Sequence, residues 1–364
     1  MIDHEHSRFF IFFIMAVLLF TSFGCASKSR QSYKTYVIKP GSDGGIKKLQ
    51  DAVRMGDLKK VKKLLGDGVD VDGTSKGGRT SLMIACALGN YKMVQLLIKK
   101  GSLVNLKQDD GATALLVASG LGDETVIKQL IDAGADVNTG TDAGVTALMF
   151  ASMDGNINAV KLLVDKGASV DAVDKTGQTA LMVACSESRP DVVRLLIDSG
   201  ADINIKRKDG KNALIGAAFS GNVKLGEMLI NAKVSFDADN QGETAMMVSA
   251  RLGFVDFVKI LIDAGGDVNA VKKGGWTALM LAGGEGHSDV VKFLIEHGAK
   301  TDMINFASWT ALMLAARKGF DNVVDILLQN GADTSIKDTL GKDAAQLASD
   351  AGFKELSKKI LDKK

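Results

Sequence analysis

The sequence predicts an all-α solenoid: eight full helix-turn-helix units with a capping unit at each end. Three observations predict it. The string "TALM" stands word for word at Thr146, Thr179, Thr277 and Thr310. Close variants fill the gaps, "TSLM" at Thr80, "TALL" at Thr113, "NALI" at Asn212 and "TAMM" at Thr244, so that every interval is 33 residues except one of 32. Within each interval, two short apolar runs recur at helical spacing. A sustained period of this length marks a stacked array and overrides the two or three domains that 364 residues would otherwise suggest.

The first element is a leader, residues 1–25. "FFIFFIMAVLLF", Phe9 to Phe20, is a run of twelve apolar residues, short of the roughly 20 that a membrane-spanning helix needs and suited to a secretory signal core. Cys25, preceded by Gly24 and followed by a polar stretch, resembles the lipobox cysteine of bacterial lipoproteins, the residue that is acylated and becomes the mature N-terminus. Ser22 and Phe23 depart from that pattern, and the first eight residues carry Arg8 against Asp3 and Glu5, so simple cleavage and an uncleaved anchor stay open. Ala26 after the cysteine is similar to lipoproteins sorted to the outer membrane. The resemblance implies an exported outer-membrane lipoprotein facing the periplasm, held to the membrane by an N-terminal lipid or anchor. Residues 26–45, "ASKSRQSYKTYVIKPGSDGG", read as a flexible tether, which as a coil would span on the order of 25 Å.

The array itself is expected over residues 46–364. Ile46 to Asp72 lacks the threonine but keeps Leu49, Ala52, Gly56, Val61, Leu64, Leu65 and Gly68 in register, as an N-terminal cap would. In the first full unit Leu82, Ala85 and Cys86 share one helical face, Gly89 ends that helix, and Val94, Leu97 and Ile98 repeat the spacing on a second helix closed by Gly101. A glycine stands two residues before each threonine position, with Ser308 as the exception, so a turn precedes the first helix and the threonine hydroxyl is placed to cap it. Helices this short are marginal alone, so each unit must bury its apolar face on its neighbours. Gly341 to Lys364, with Leu347, Ala348, Leu356 and Ile360, reads as the C-terminal cap.

At these residues the sequence resembles the ankyrin repeat family. Gly144, Thr146, Ala147, Leu148, Ala151, Gly155, Val160, Leu162, Leu163, Gly167, Ala168 and Asp171 fall on the family pattern "G-x-T-P-L-H-x-A … G … V-x-L-L … G-A-x-x-N". The resemblance implies units that end in β-hairpin fingers, a concave binding surface lined by fingers and inner helices, and protein binding as the function. Two departures are systematic. Alanine replaces the family's proline, and Met83, Met149, Met182, Met247, Met280 and Met313 or another apolar residue replace its histidine, so an apolar seam is expected where the family bridges units by hydrogen bonds.

No convergent catalytic set, cofactor motif or metal-ligand cluster is found in the sequence. His287 and His297 occupy places where the family commonly carries histidine, and "GGEG" at Gly283 to Gly286 lacks the strand and the Lys-Ser/Thr pair of a phosphate cradle. Cys86 and Cys185 lie three units apart, roughly 25 to 30 Å at about 8 to 10 Å per unit, too far for a disulfide, and are expected as buried thiols. A net charge of +2 gives no case for nucleic acid, and the lysines of Lys59 to Lys63 read as the solvated outer helix of a cap.

A partner protein is expected at one of two places. Trp276 and Trp309 hold the same finger position in adjacent units, with Phe306 near them and Glu285, Arg317 and Lys318 at the inner-helix end; aromatic residues and arginine dominate binding energy at interfaces. The alternative is the basic finger Lys206, Arg207, Lys208 and Lys211, which favours an acidic partner. The one shorter interval arises between Asp237 and Gly242 and is expected to shift the groove there. The sequence therefore predicts a monomeric, non-enzymatic interaction scaffold of the cell envelope, the alternative being a structural or stress-protective envelope protein with no single high-affinity partner.

Overall fold

The computed structural model of the chain describes residues 43–363. The leader, Cys25 and all but the last three residues of the expected tether lie outside the described residues. Twenty helices, paired in sequence, fill the described chain: α1 (Asp43–Arg54), α2 (Leu58–Gly66), α3 (Ser81–Ala87), α4 (Tyr91–Lys99), α5 (Ala114–Leu121), α6 (Glu124–Asp132), α7 (Ala147–Asp154), α8 (Ile157–Asp165), α9 (Ala180–Ser186) and α10 (Pro190–Asp198). The second half repeats the scheme with α11 (Ala213–Ser220), α12 (Val223–Asn231), α13 (Ala245–Leu252), α14 (Val255–Asp263), α15 (Ala278–Glu285), α16 (Ser288–Glu296), α17 (Ala311–Lys318), α18 (Asp321–Gln329), α19 (Ala344–Asp350) and α20 (Lys354–Leu361). No described helix is long and apolar enough to cross a membrane.

The first helix of every full unit starts where the sequence supplies a side-chain acceptor for orphan backbone N–H groups, whereas α10, α14, α16, α18 and α20 start without one. The side chains of Thr80, Thr113, Thr146, Thr179, Asn212, Thr244, Thr277 and Thr310 each accept from the N–H three residues on, at 3.1–3.4 Å. Asp343 opens α19 with a full capping box, accepting from the Gln346 N–H while the Gln346 side chain accepts from its own. Helix α1 begins at Asp43, three residues ahead of the expected boundary. Gly44 and Gly45 weigh against helix by composition, but the first turn is continuous with Ile46, which abuts Gly73, and with the fully buried Leu49.

Odd-numbered helices pack on one another in one row and even-numbered helices from α4 onward in a second, with every odd helix also against its own partner. A single core runs through the stack from Leu49 to Ile360. The six seam methionines are all buried in it, so thioethers fill the inter-unit gap as the sequence predicts.

Two hydrogen-bond ladders run along the stack and pin units to one another. In the first, a finger N–H donates to the carbonyl of the preceding finger: Asp109 to Gly77, Asp142 to Asp110, Lys175 to Ala143, Lys208 to Thr176, Asn240 to Asp209, Lys273 to Gln241, Phe306 to Gly274 and Thr339 to Ala307, at 2.7–3.2 Å. The second uses side chains. Asn105, Asn138 and Asn269 accept from the N–H groups of Asp136, Ser169 and Lys300 at 2.8–2.9 Å and donate back to the carbonyls of Gly134, Gly167 and Gly298 at 2.9–3.1 Å.

The fingers are tighter than two-stranded hairpins. Each closes on one backbone bond four residues across, such as Arg207 N–H to Lys211 O at 2.8 Å, and the pairing extends no further than isolated bridges at Gly140 with Thr146 and Lys272 with Trp276. Close approach explains the glycine before the cap. A Cβ on Gly111, at φ +82°, would meet the Asp142 backbone N at 2.6 Å and block the first ladder.

Candidate interaction surface

The two expected surfaces form separately, the basic finger two units from Trp276 and three from Trp309, and differ in how much charge they leave free. At the C-terminal one, the turn before α15 presents Trp276 and the turn before α17 presents Trp309, both half-buried against the core with part of each ring facing out. Arg317, in the last turn of α17, lays its guanidinium 4.9 Å from the centre of the Trp309 ring. Lys318 reaches back to α15 and pairs with Glu285 at 3.3 Å, both side chains about half exposed. Phe306 is 84% exposed at its fingertip, held only through its backbone N–H to the Gly274 carbonyl at 2.8 Å. The structure thus joins Trp309 to Arg317 and Glu285 to Lys318, and leaves Phe306 projecting.

The turn that presents Trp276 carries an ion pair that the sequence reading missed. Lys272 meets Glu243 of the preceding unit at 2.6 Å, with only 21% and 13% of the two side chains exposed. The Lys272 N–H also donates to the Trp276 carbonyl at 3.0 Å, so the residue that pairs with Glu243 also closes the tryptophan turn. The signal was present in the register, because Glu243 stands one residue before its cap and Lys272 five before the next.

The basic finger is largely self-neutralised. Lys206 pairs with Asp237 at 2.7 Å, and Asp209 takes both Arg207 at 3.3 Å and Lys211 at 3.7 Å. The bond from Lys206, then one from the Ser235 hydroxyl, holds the Asp237 carboxyl below its usual range. Lys208 alone of the four keeps an exposed side chain with no ion pair, while its carbonyl accepts from Asn240 at 2.7 Å. The pull on an acidic partner is correspondingly weaker than four lysines and arginines suggest.

Beside this finger is a second feature absent from the sequence reading. Phe219, 41% exposed in α11, has Lys211 5.5 Å and Arg251 6.0 Å from its ring centre. Lys211 and Phe219 occupy the same two places in their unit as Trp309 and Arg317 do in theirs, one before the cap and seven after it. The cation and the aromatic ring have changed sides.

The shorter interval falls where the second ladder breaks. Lys233 replaces the usual glycine and still adopts φ +65°, and Asp237 turns to Lys206 at the place where Asn204 and Asn269 grip the next unit. The finger ladder runs through unbroken, with Asn240 to Asp209 at 2.9 Å and Lys273 to Gln241 at 2.7 Å.

The remaining reactive residue types are in structural positions. His287 sits 2.9 Å from the Arg251 carbonyl of the preceding unit, and His297 lies 2.8 Å from the Phe293 carbonyl and stacks on that ring. Cys86 and Cys185 are free and fully buried, and burial pushes both thiols well above the ordinary range. Gly283 and Gly284 are buried within α15.

A family model for ankyrin repeats, three copies, matches residues 49–141, 122–207, 202–272 and 254–338. A search of curated proteins found no match. The four overlapping matches span 49 to 338 and take in the threonine caps, both fingers and the helices behind them, and the chain belongs to the ankyrin repeat family.

Proposed function

We propose that this protein is a non-enzymatic interaction scaffold, exported and lipid-anchored through Cys25 in the cell envelope, that binds a partner protein through the finger and inner-helix face of its C-terminal units. Ankyrin repeats generally mediate protein-protein interaction and the family is typically non-enzymatic, so a protein partner is the first expectation. The observation that carries the choice of surface is the exposed Phe306 beside the Trp309–Arg317 stack and the Glu285–Lys318 pair. Rigid aromatic area ringed by charge is the composition of interface hot spots. The neutralised finger at Lys206 to Lys211 is the weaker surface by the same reasoning.

The test has two parts. A partner captured from envelope extract is titrated against the wild-type array and against Trp276→Ala/Trp309→Ala/Arg317→Ala; loss of at least about tenfold in affinity, the scale of one hot spot, is expected. Unchanged affinity rejects this surface, and no saturable binding favours a structural envelope role. The mass of the mature N-terminus from native membranes tests the anchor, since acylation adds to Cys25 and simple cleavage does not.

A further inference from the structure

The first helix pair differs in charge from everything that follows it. Between residues 43 and 66 stand seven Lys and Arg against three Asp, whereas residues 67–364 hold 33 Lys and Arg against 38 Asp and Glu. An acidic array is therefore fronted by one basic unit. On α2, Lys59, Lys60, Lys62 and Lys63 are exposed and fall on one helical face, opposite the buried Val61 and the half-buried Leu58, Leu64 and Leu65. On α1, Lys47 and Lys48 are exposed on the side away from the buried Leu49, Ala52 and Val53, where Arg54 and Asp51 pair at 2.8 Å. None of these six lysines has an ion-pair partner among the described residues, in contrast to Lys206, Lys272, Lys318, Lys342 and Lys359 further along, each of which meets a carboxylate. Four like charges within five residues repel one another, a cost that water and salt screen in part and that a surface of anions relieves further.

We infer that the exposed lysine face of α1 and α2 docks onto an anionic phospholipid surface. Charge complementarity is one argument. The other is where the face sits in the chain. The residues between Cys25 and α1 carry Lys28, Arg30, Lys34 and Lys39 and no acidic side chain, so the basic character runs unbroken from the apolar leader into the first folded unit. A polybasic segment next to a membrane attachment gains attraction to acidic headgroups with each lysine, and the gain is screened by salt. This inference shares the leader with the proposed anchor but rests on the lysine face, and it sets the first unit, not the fingers, against the lipid.

Full-length protein mixed with vesicles of phosphatidylcholine alone, or with about one third phosphatidylglycerol, separates the two. Co-flotation with both vesicle types reports the leader. Acetylation rates of individual lysines, read by mass spectrometry, report the face. Lys59, Lys60, Lys62 and Lys63 are expected to react several-fold more slowly on the anionic vesicles than on the neutral ones, with the protection lost at high salt and absent from Lys358 and Lys363 at the other end. Replacing the four α2 lysines by Gln is expected to abolish the salt-sensitive part of binding to anionic vesicles while leaving the melting temperature in place. Equal acetylation on both vesicle types overturns the inference even if the protein floats. Stronger protection by duplex RNA at matched phosphate concentration also overturns it, in favour of a nucleic-acid surface. Protection on anionic vesicles without flotation on neutral ones supports the face and rejects the anchor.

Discussion

The guanidinium of Arg317 lies 4.9 Å from the ring centre of Trp309, eight residues before it in the same unit, so the last turn of α17 and the turn that precedes the helix are held together by a cation on an aromatic face. At an exposed site such a contact contributes about 0.5–1 kcal/mol. Arg317→Ala is therefore expected to change the fluorescence of the array, by freeing one of its two tryptophans, while lowering unfolding free energy by less than about 1 kcal/mol. A loss several times larger in urea titration would show that Arg317 supports the fold and not the surface.

Lys233 holds φ +65° at the place where other units use glycine, as at Gly200 with φ +86°, and Ser308 holds φ +58° where Gly275 has +81°. Left-handed backbone costs a side-chain-bearing residue about 1–2 kcal/mol, partly offset by the greater entropy that glycine loses on folding. Lys233→Gly and Ser308→Gly are each expected to stabilise the array by about 0.5–1 kcal/mol. Chemical denaturation of the single and double variants checks the sign and the additivity expected of sites two units apart.

Removing a cap separates its two contributions. Thr146→Ala deletes one acceptor at the start of α7 and is expected to cost about 1 kcal/mol, while Thr146→Ser should be close to neutral. Asn212 both caps α11 and donates from Nδ2 to the Ser235 carbonyl at 3.0 Å. Asn212→Thr should lose only the second bond, and Asn212→Ala both. Equal losses for the two Asn212 variants in thermal melts would show that the bond to Ser235 carries nothing.

Burial raises the thiols of Cys86 and Cys185, with Asp123 adding to the effect at Cys86. Neither should react with a thiol reagent at neutral or mildly alkaline pH until the surrounding units open. Mass mapping after iodoacetamide is expected to find both unmodified in native protein and both modified in denaturant; native labelling of either would place it outside the core.

Lys359 of α20 donates to Asp321 at 2.8 Å and to Asp325 at 2.8 and 3.0 Å, both on α18, and these bonds hold its ammonium above the ordinary lysine value of 10.5. The sign follows from the raised folded value: the contribution is fully present below 10.5 and is lost as pH rises through the elevated value. The difference in melting temperature between wild type and Lys359→Met should thus be largest at neutral pH and shrink above that point. A difference that stays constant into strong alkali would assign the effect to the side-chain stem.

What the sequence made legible was whatever repeats. The threonine caps, the methionine seam and the paired helices are set by residues that contact their own unit or the same place in the next, so one period contains the information. The misses concern contacts that occur once. Asp209 and Asp237 cancel most of the basic finger because one sits in the turn itself and the other in the next unit, and charge counting along a finger cannot see across units. Phe219 was within reach of register counting, since it and Lys211 reproduce the spacing of Arg317 and Trp309, but it was hidden by the reversal of cation and ring. Helix α1 starts early because burial of Leu49 and Ile46 outweighs two glycines whose helix propensity, taken alone, argues for a loop.

The finger ladder has a consequence for how such a chain can grow. Each carbonyl in it is answered by an amide one unit further on, and the 32-residue interval shows that a residue can be lost from the turn without breaking that succession. Duplicating or excising a whole unit leaves every donor matched, whereas a cut that ends inside a helix pair removes a finger from one side of the junction and strands its backbone groups. The backbone therefore accepts lengthening in modules, with a residue of play in the turns, which makes the number of modules the easiest property of this protein to change.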